Sequence, residues 1–159
     1  MVDTLIARLV EPFELRHATR KAVRRARLYF FDIGVANRLL GRKTLAASTP
    51  EYGAAFETYL AHELHAWRDY TASDEPIRYF RTQDGLEVDF ILGDHTAVEV
   101  KSTSLANEKH AKPLLQLHAL HKVRRRLLVT RDRTRRKLGT VEVWPWRESL
   151  AALWDGAIV

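Results

Sequence analysis

Asp89, Glu99 and Lys101 are the residues of this 159-residue chain whose types and spacing best suit chemistry. Glu99 and Lys101 are separated by one residue in Ala97-Val98-Glu99-Val100-Lys101, and Asp89 stands inside Leu86-Glu87-Val88-Asp89-Phe90-Ile91-Leu92. Carboxylates among such apolar neighbours lose hydration when buried, at a cost that a bound cation together with a phosphate offsets. A half-exposed strand also alternates charged and apolar residues, so the Glu-Val-Lys triplet alone says little. The combination says more: an acid in one predicted strand, Glu-x-Lys in the next, a preceding helix carrying Glu57 and a following helix carrying Gln116.

These side chains meet only if the surrounding elements place them together. Residues 77–82 (IRYFRT) and 86–92 (LEVDFIL) are rich in β-branched and aromatic residues, and Asp84-Gly85 between them is a hairpin signal. Gly93-Asp94-His95 makes a second turn before a third strand at 96–101 (TAVEVK). Strand alternation predicts Val88, Phe90 and Leu92 in one layer and Glu87, Asp89 and Ile91 in the other. In the next strand it sets Val98 and Val100 against Glu99 and Lys101, so the two acids and the lysine converge.

The preceding helix is predicted from Ala54 to about Asp69, where Phe56, Leu60, Leu64 and Trp67 recur at helical spacing and Ser48 or Thr49 before Pro50-Glu51 offers a start. Glu57 lies on the flank of that buried stripe. A shorter helix is expected over 32–40, capped by Asp32, stopped at Gly41 and burying Val35, Leu39 and Leu40. After the third strand come a helix from Asn107 or Pro113 to His121, strands at 127–130 and 140–144, and a closing helix at 147–153. No repeat or flexible linker divides the chain, so one domain is expected.

The formal charge is +6. Its distribution is uneven: residues 16–27 hold six basic and no acidic residues, and residues 122–137 hold nine basic residues against Asp132. An acidic middle suited to a cation is thus flanked by basic segments suited to phosphates. Arg-rich runs are also ordinary solvated faces; read as nucleic-acid contacts, Arg124, Arg125, Arg126, Arg131, Arg133, Arg135 and Arg136 would give salt-dependent and sequence-tolerant affinity. Trp144 and Trp146 could stack on bases, although tryptophans beside a strand are more often core. With no cysteine there are no disulfides and no thiolate metal sites. The absence of a leader pattern or a long apolar run predicts a cytoplasmic protein without a membrane partner.

Several patterns fail. His62-Glu63-Leu64-His65 would need a histidine at position 66 to match a zinc-protease helix, and that residue is Ala66. The pairs His62/His65 and His118/His121 lack a third ligand. No phosphate-binding G-x-x-x-x-G-K-[ST] loop occurs, so no ATP site is expected.

With D in the second strand and E-x-K in the third, the order α-β-β-β-α-β resembles the PD-(D/E)xK superfamily of restriction-endonuclease-like nucleases. More closely, YFFDIGVANRLLG (29–41), GAAFETYLAHEL (53–64), IRYFRTQDGLEVDFIL (77–92) and AVEVKST (97–103) resemble the DUF4143 domain, commonly the carboxy-terminal part of prokaryotic AAA-type ATPases. The resemblance implies an α/β fold with a restriction-endonuclease-like core, a mixed central sheet flanked by helices. It implies a single domain over 29–159, with residues 1–28 a partly ordered remnant of the connection to an ATPase domain.

It further implies a DNA endonuclease dependent on Mg²⁺ or Mn²⁺, with Asp89, Glu99 and the Val100 carbonyl as metal ligands. Lys101 would orient or deprotonate the attacking water, Glu57 would be an outer or second-metal ligand, and Gln116 would steady Lys101 or a phosphate. The alternative is a catalytically inactive nuclease-fold module that binds DNA or assembles with an AAA-type ATPase. Self-association through Phe30 and Phe31 is a third expectation.

Overall fold

The computed structural model describes residues 6–15, 25–47 and 49–159. Strands β1 (Ala7–Pro12) and β2 (Arg27–Phe30) come first, then helices α1 (Ile33–Leu39) and α2 (Pro50–Tyr70). Strands β3 (Ile77–Arg81), β4 (Glu87–Leu92) and β5 (Thr96–Val100) lead into α3 (Glu108–Leu120). Strands β6 (Arg125–Thr130), β7 (Arg136–Leu138) and β8 (Val141–Pro145) precede α4 (Trp146–Trp154). The expected α-β-β-β-α-β order is therefore present as α2 through β6, within a mixed α/β architecture.

One eight-stranded sheet runs in the order β2-β1-β3-β4-β5-β6-β8-β7. The pairs β1/β3, β5/β6 and β6/β8 are parallel and the others antiparallel. On one face α2 and α4 bury Phe56, Leu60, Leu64, Trp67 and Leu153 against Phe90, Leu92, Val98 and Val100. On the other face α3 buries Leu114 and Leu117 against Val88, Ile91 and Ala97. Fully burying one such side chain contributes about 1.5–3 kcal/mol, so the two apolar layers hold the central strands firmly enough to carry charged groups between them.

The helix caps follow the sequence. Thr49 accepts a hydrogen bond from the Tyr52 N–H ahead of Pro50, and Asn107 forms a reciprocal capping pair with His110. Asp32 caps α1 through the Val35 N–H. The expected burial along α1 does not hold: Val35, Leu39 and Leu40 are 47%, 77% and 64% exposed. This short helix follows edge strand β2 and rests lightly on α2, so these three side chains stay largely exposed.

The expected strand alternation also fails at one point. Arg78 pairs with Ile91 but Phe80 pairs with Val88, so β4 carries one extra residue where Asp89 and Phe90 together oppose Tyr79. This β-bulge reverses the facing of everything before it. Val88 joins Ile91 on the α3 side, while Phe90 and Leu92 pack under α2, so Val88 and Phe90 do not share a layer.

Candidate active site

The β4–β5 ladder pairs Phe90 with Val98, and continuing that register sets Asp89 across from Glu99. There the strands stop bonding backbone to backbone. The Val100 N–H donates instead to Asp89 Oδ2 at 2.9 Å, which ties the bulged acid to the end of β5. The Lys101 ammonium bonds Glu99 Oε1 at 2.6 Å. Asp89 and Glu99 are both buried, at 5% and 3% exposure, and Glu99 Oε2 has no hydrogen-bond partner among the described residues.

Glu57 enters from α2. It accepts from the Tyr29 hydroxyl at 2.6 Å and from Arg27 Nη1 at 2.8 Å. That guanidinium nitrogen also lies 3.5 Å from Asp89 Oδ1, while Nη2 pairs with Glu87. The Arg27 carbon core sits 4.7 Å from the centre of the Tyr79 ring, which gives the charge an aromatic floor. Strand alternation in β2 places Arg27 and Tyr29 on the α2 side together.

The electrostatics are those of acids crowded in a dry space. Burial and then the charge of Asp89 push the Glu99 carboxyl up to about 8, against the pull of Lys101. Burial and the same aspartate also raise Glu57, opposed by the Tyr29 hydrogen bond and by Arg27. Burial disfavours the Lys101 ammonium, but Glu99, Asp89 and Glu57 outweigh it and hold its pKa above the ordinary lysine range. In this arrangement the acids hold Lys101 in its charged, hydrogen-bond-donating form. The Tyr29 hydroxyl is raised by burial and by Glu57, so it stays protonated and donates.

Among the described residues no three His, Asp or Glu side chains form a ready-made metal-ligand group. The donor types would suit a hard cation: Glu99 Oε2 and the Asp89 carboxylate, whose charge acts on Glu99, are oxygens of the kind that hold Mg²⁺ with waters filling the rest. Val100, whose carbonyl is the expected further ligand, gives its N–H to Asp89 and lies beside Val129 in the β5–β6 ladder.

The remaining expected residues divide clearly. Gln116 is exposed on α3, and no contact among the described residues ties it to Lys101. The α3 residue that feels the Lys101 charge is His110, whose pKa is lowered by burial and then by that lysine. Gln116 lies six positions further along α3 than His110, about 9 Å along the helix.

Of the arginines, Arg125 forks onto Glu142 at 3.0 and 3.1 Å and lies 4.7 Å over Trp144. Arg126 reaches His118 and the Thr140 carbonyl. Arg135 pairs with Glu148 and stacks on Trp144, and Arg136 forks onto Asp132. These four brace the β6–β8 edge instead of standing free. Trp144 is buried beneath them, and Trp146 packs edge-on against Phe56 and Tyr59.

Arg124 and Arg133 are exposed. Arg131 lines a groove with Thr49, Gly53, Ser102, Thr103 and Ser104, the last three following Lys101 directly in sequence, and its guanidinium lies 5.2 Å over the Tyr52 ring. No carboxylate among the described residues pairs with it. From the amino-terminal basic run, Arg16, Arg20, Lys21 and Arg24 lie outside the described residues, and Arg27 points inward to the acids. Phe30 and Phe31 are 37% and 54% exposed at the β2 edge.

Sequence reading missed Arg27. Its only signal was the alternation Arg27-Leu28-Tyr29-Phe30, and nothing in that pattern names Glu57 and Asp89, tens of residues away, as its partners.

No helix among the described residues is long and apolar enough to cross a membrane. No curated protein and no solved structure matches the chain. A family model does match, running from the first turn of α2 into the first turn of α4 and hence covering the whole acid and lysine cluster except Arg27 and Tyr29. Over residues 52–149, more than half of its length, the chain matches DUF4143, a domain of unknown function, and it belongs to that family.

Proposed function

We propose that the Asp89, Glu99 and Lys101 cluster is a divalent-cation site for phosphodiester hydrolysis in DNA, in a module resembling PD-(D/E)xK nucleases. The observation that carries this reading is the buried Glu99 Oε2, partnerless beside a second carboxylate and an ammonium. Leaving such an atom unsatisfied costs about 1–3 kcal/mol or more, and a cation between the acids removes that cost.

Bound Mg²⁺ or Mn²⁺ would polarise a phosphoryl oxygen and lower the pKa of a coordinated water. The chain's own groups do the rest. Asp89, fixed by the Val100 N–H, presents Oδ1 as ligand, and the Val100 carbonyl is a further candidate ligand. Glu99 must release the proton it holds at neutral pH before it can ligate. Lys101 donates to a phosphate oxygen or to the attacking water, and Glu57 acts from the outer shell. The groove of Arg131, Ser102 and Ser104 takes the neighbouring phosphate, with Arg124 and Arg133 adding salt-dependent attraction.

A second reading is favoured by one observation, the Arg27 guanidinium lodged between Glu57 and Asp89. With that charge in place the cluster is already largely neutralised, as in a scaffold that binds DNA, assembles with an AAA-type ATPase or self-associates through the exposed Phe30 and Phe31 without catalysis.

Calorimetric titration with Mn²⁺ separates the two. The nuclease reading expects binding by the wild type that Glu99→Ala abolishes, and cleavage of branched or single-stranded DNA that Asp89→Ala abolishes. Absence of both in the wild type leaves the scaffold reading.

A further inference from the structure

We infer that Arg27 is an internal cation that competes with a divalent ion for Asp89, so that a residue on the edge strand sets the metal affinity of the site. This rests on the cation reading of Asp89 and Glu99 given above.

The geometry of Asp89 forces the competition. Its Oδ2 is committed to the Val100 N–H, which leaves Oδ1 as the oxygen free to ligate. Oδ1 is the atom that faces Arg27 Nη1 at 3.5 Å. The same nitrogen bonds Glu57 at 2.8 Å and the Tyr29 hydroxyl at 3.1 Å, while Nη2 holds Glu87. The guanidinium therefore spans the acids on the α2 side of the bulge. An incoming dication must either stand beside a fixed positive charge or displace it from several oxygens.

Lys101 does not duplicate this role. Its ammonium holds Glu99 Oε1 and leaves Oε2 without a partner. The two native cations thus divide the acids: Lys101 leaves a ligand oxygen open on Glu99, whereas Arg27 faces the one available on Asp89. Arg27 can leave without dismantling the core, because it is half-buried on a strand that has only β1 as a sheet neighbour.

The test is Mn²⁺ binding to the full chain, measured by calorimetry and by the electron paramagnetic resonance signal of free Mn²⁺. Wild type is compared with Arg27→Met, Arg27→Lys and Asp89→Asn. Arg27→Met is expected to bind at least tenfold more tightly than wild type, with Arg27→Lys in between because an ammonium on a shorter stem cannot span the same oxygens. Asp89→Asn is expected to lose binding.

Equal or weaker binding by Arg27→Met, with Asp89→Asn still abolishing it, overturns the competition but leaves the cation site standing. Binding by none of the proteins overturns both. Should Arg27→Met fail to fold because three acids lose their partner, Arg27→Lys decides: a gain of a few fold supports the inference, and wild-type affinity overturns it.

Discussion

Replacing Glu99 with glutamine should change the pH dependence of stability in a direction that the site geometry dictates. In the folded chain the Glu99 carboxyl is pushed from 4.5 up to about 8 by burial and by Asp89. Between those values the folded protein holds a proton that the unfolded chain has lost. Stability is therefore full below about pH 4.5 and declines as pH rises through 8. At about 1.4 kcal/mol per unit, the displacement sets a ceiling of roughly 5 kcal/mol. Asp89 shares the same field, so the pair titrates together and about half of that ceiling is the expected measured effect.

Glutamine keeps an acceptor for Lys101 and offers Asp89 a donor in place of a charge. Urea unfolding at steps from pH 5 to 8.5 should give nearly equal stabilities at the acid end and Glu99→Gln more stable by about 2–3 kcal/mol at the alkaline end. A difference between the two proteins that stays constant across that range would refute the buried acid pair.

His65 provides an opposite slope: its ring is buried at 3% exposure, neither nitrogen has a partner among the described residues, and burial together with Arg68 and Arg8 lowers its pKa to about 4. The unfolded chain takes up that proton near 6.5, so stability should fall as pH drops from 6.5 towards 4, and His65→Leu should remove about 2 kcal/mol of loss between pH 7.5 and 5, read from unfolding at those two values. Arg125→Ala, which breaks the fork to Glu142 and uncovers Trp144, should cost about 1–2 kcal/mol in thermal unfolding. Arg133→Ala should leave stability unchanged while lowering the salt dependence of binding to a fluorescent oligonucleotide.

The central hairpins and α2 were legible because periodicity and turn chemistry are local: Asp84-Gly85, the turn at 93–95 and the Phe56-Leu60-Leu64-Trp67 stripe need no knowledge of distant residues. The adjacency of the strand that carries Asp89 to the strand that carries Glu99 followed from them. The route by which Asp89 reaches the site did not, since the added residue in β4 is a matter of pairing with β3 and leaves no mark in the composition of 86–92. Arg27 and β1 were hidden for a related reason. Their partners lie across the sheet, and a basic run reads alike whether its members face solvent, as Arg133 does, or a buried acid. The arginines at 125, 126, 135 and 136 show the same degeneracy, for their acceptors come from β8, α4 and the loops around them.

The irregularity in β4 also bears on how sites of this kind can be recognised. Because an inserted residue, and not simple parity, turns Asp89 toward the fork, the number of residues between this aspartate and the Glu-x-Lys triplet carries no fixed odd or even rule. A chain lacking the insertion would need its acid shifted by one place to aim the same carboxylate. Spacing in relatives can accordingly slip by a residue while the charged constellation in space is unchanged.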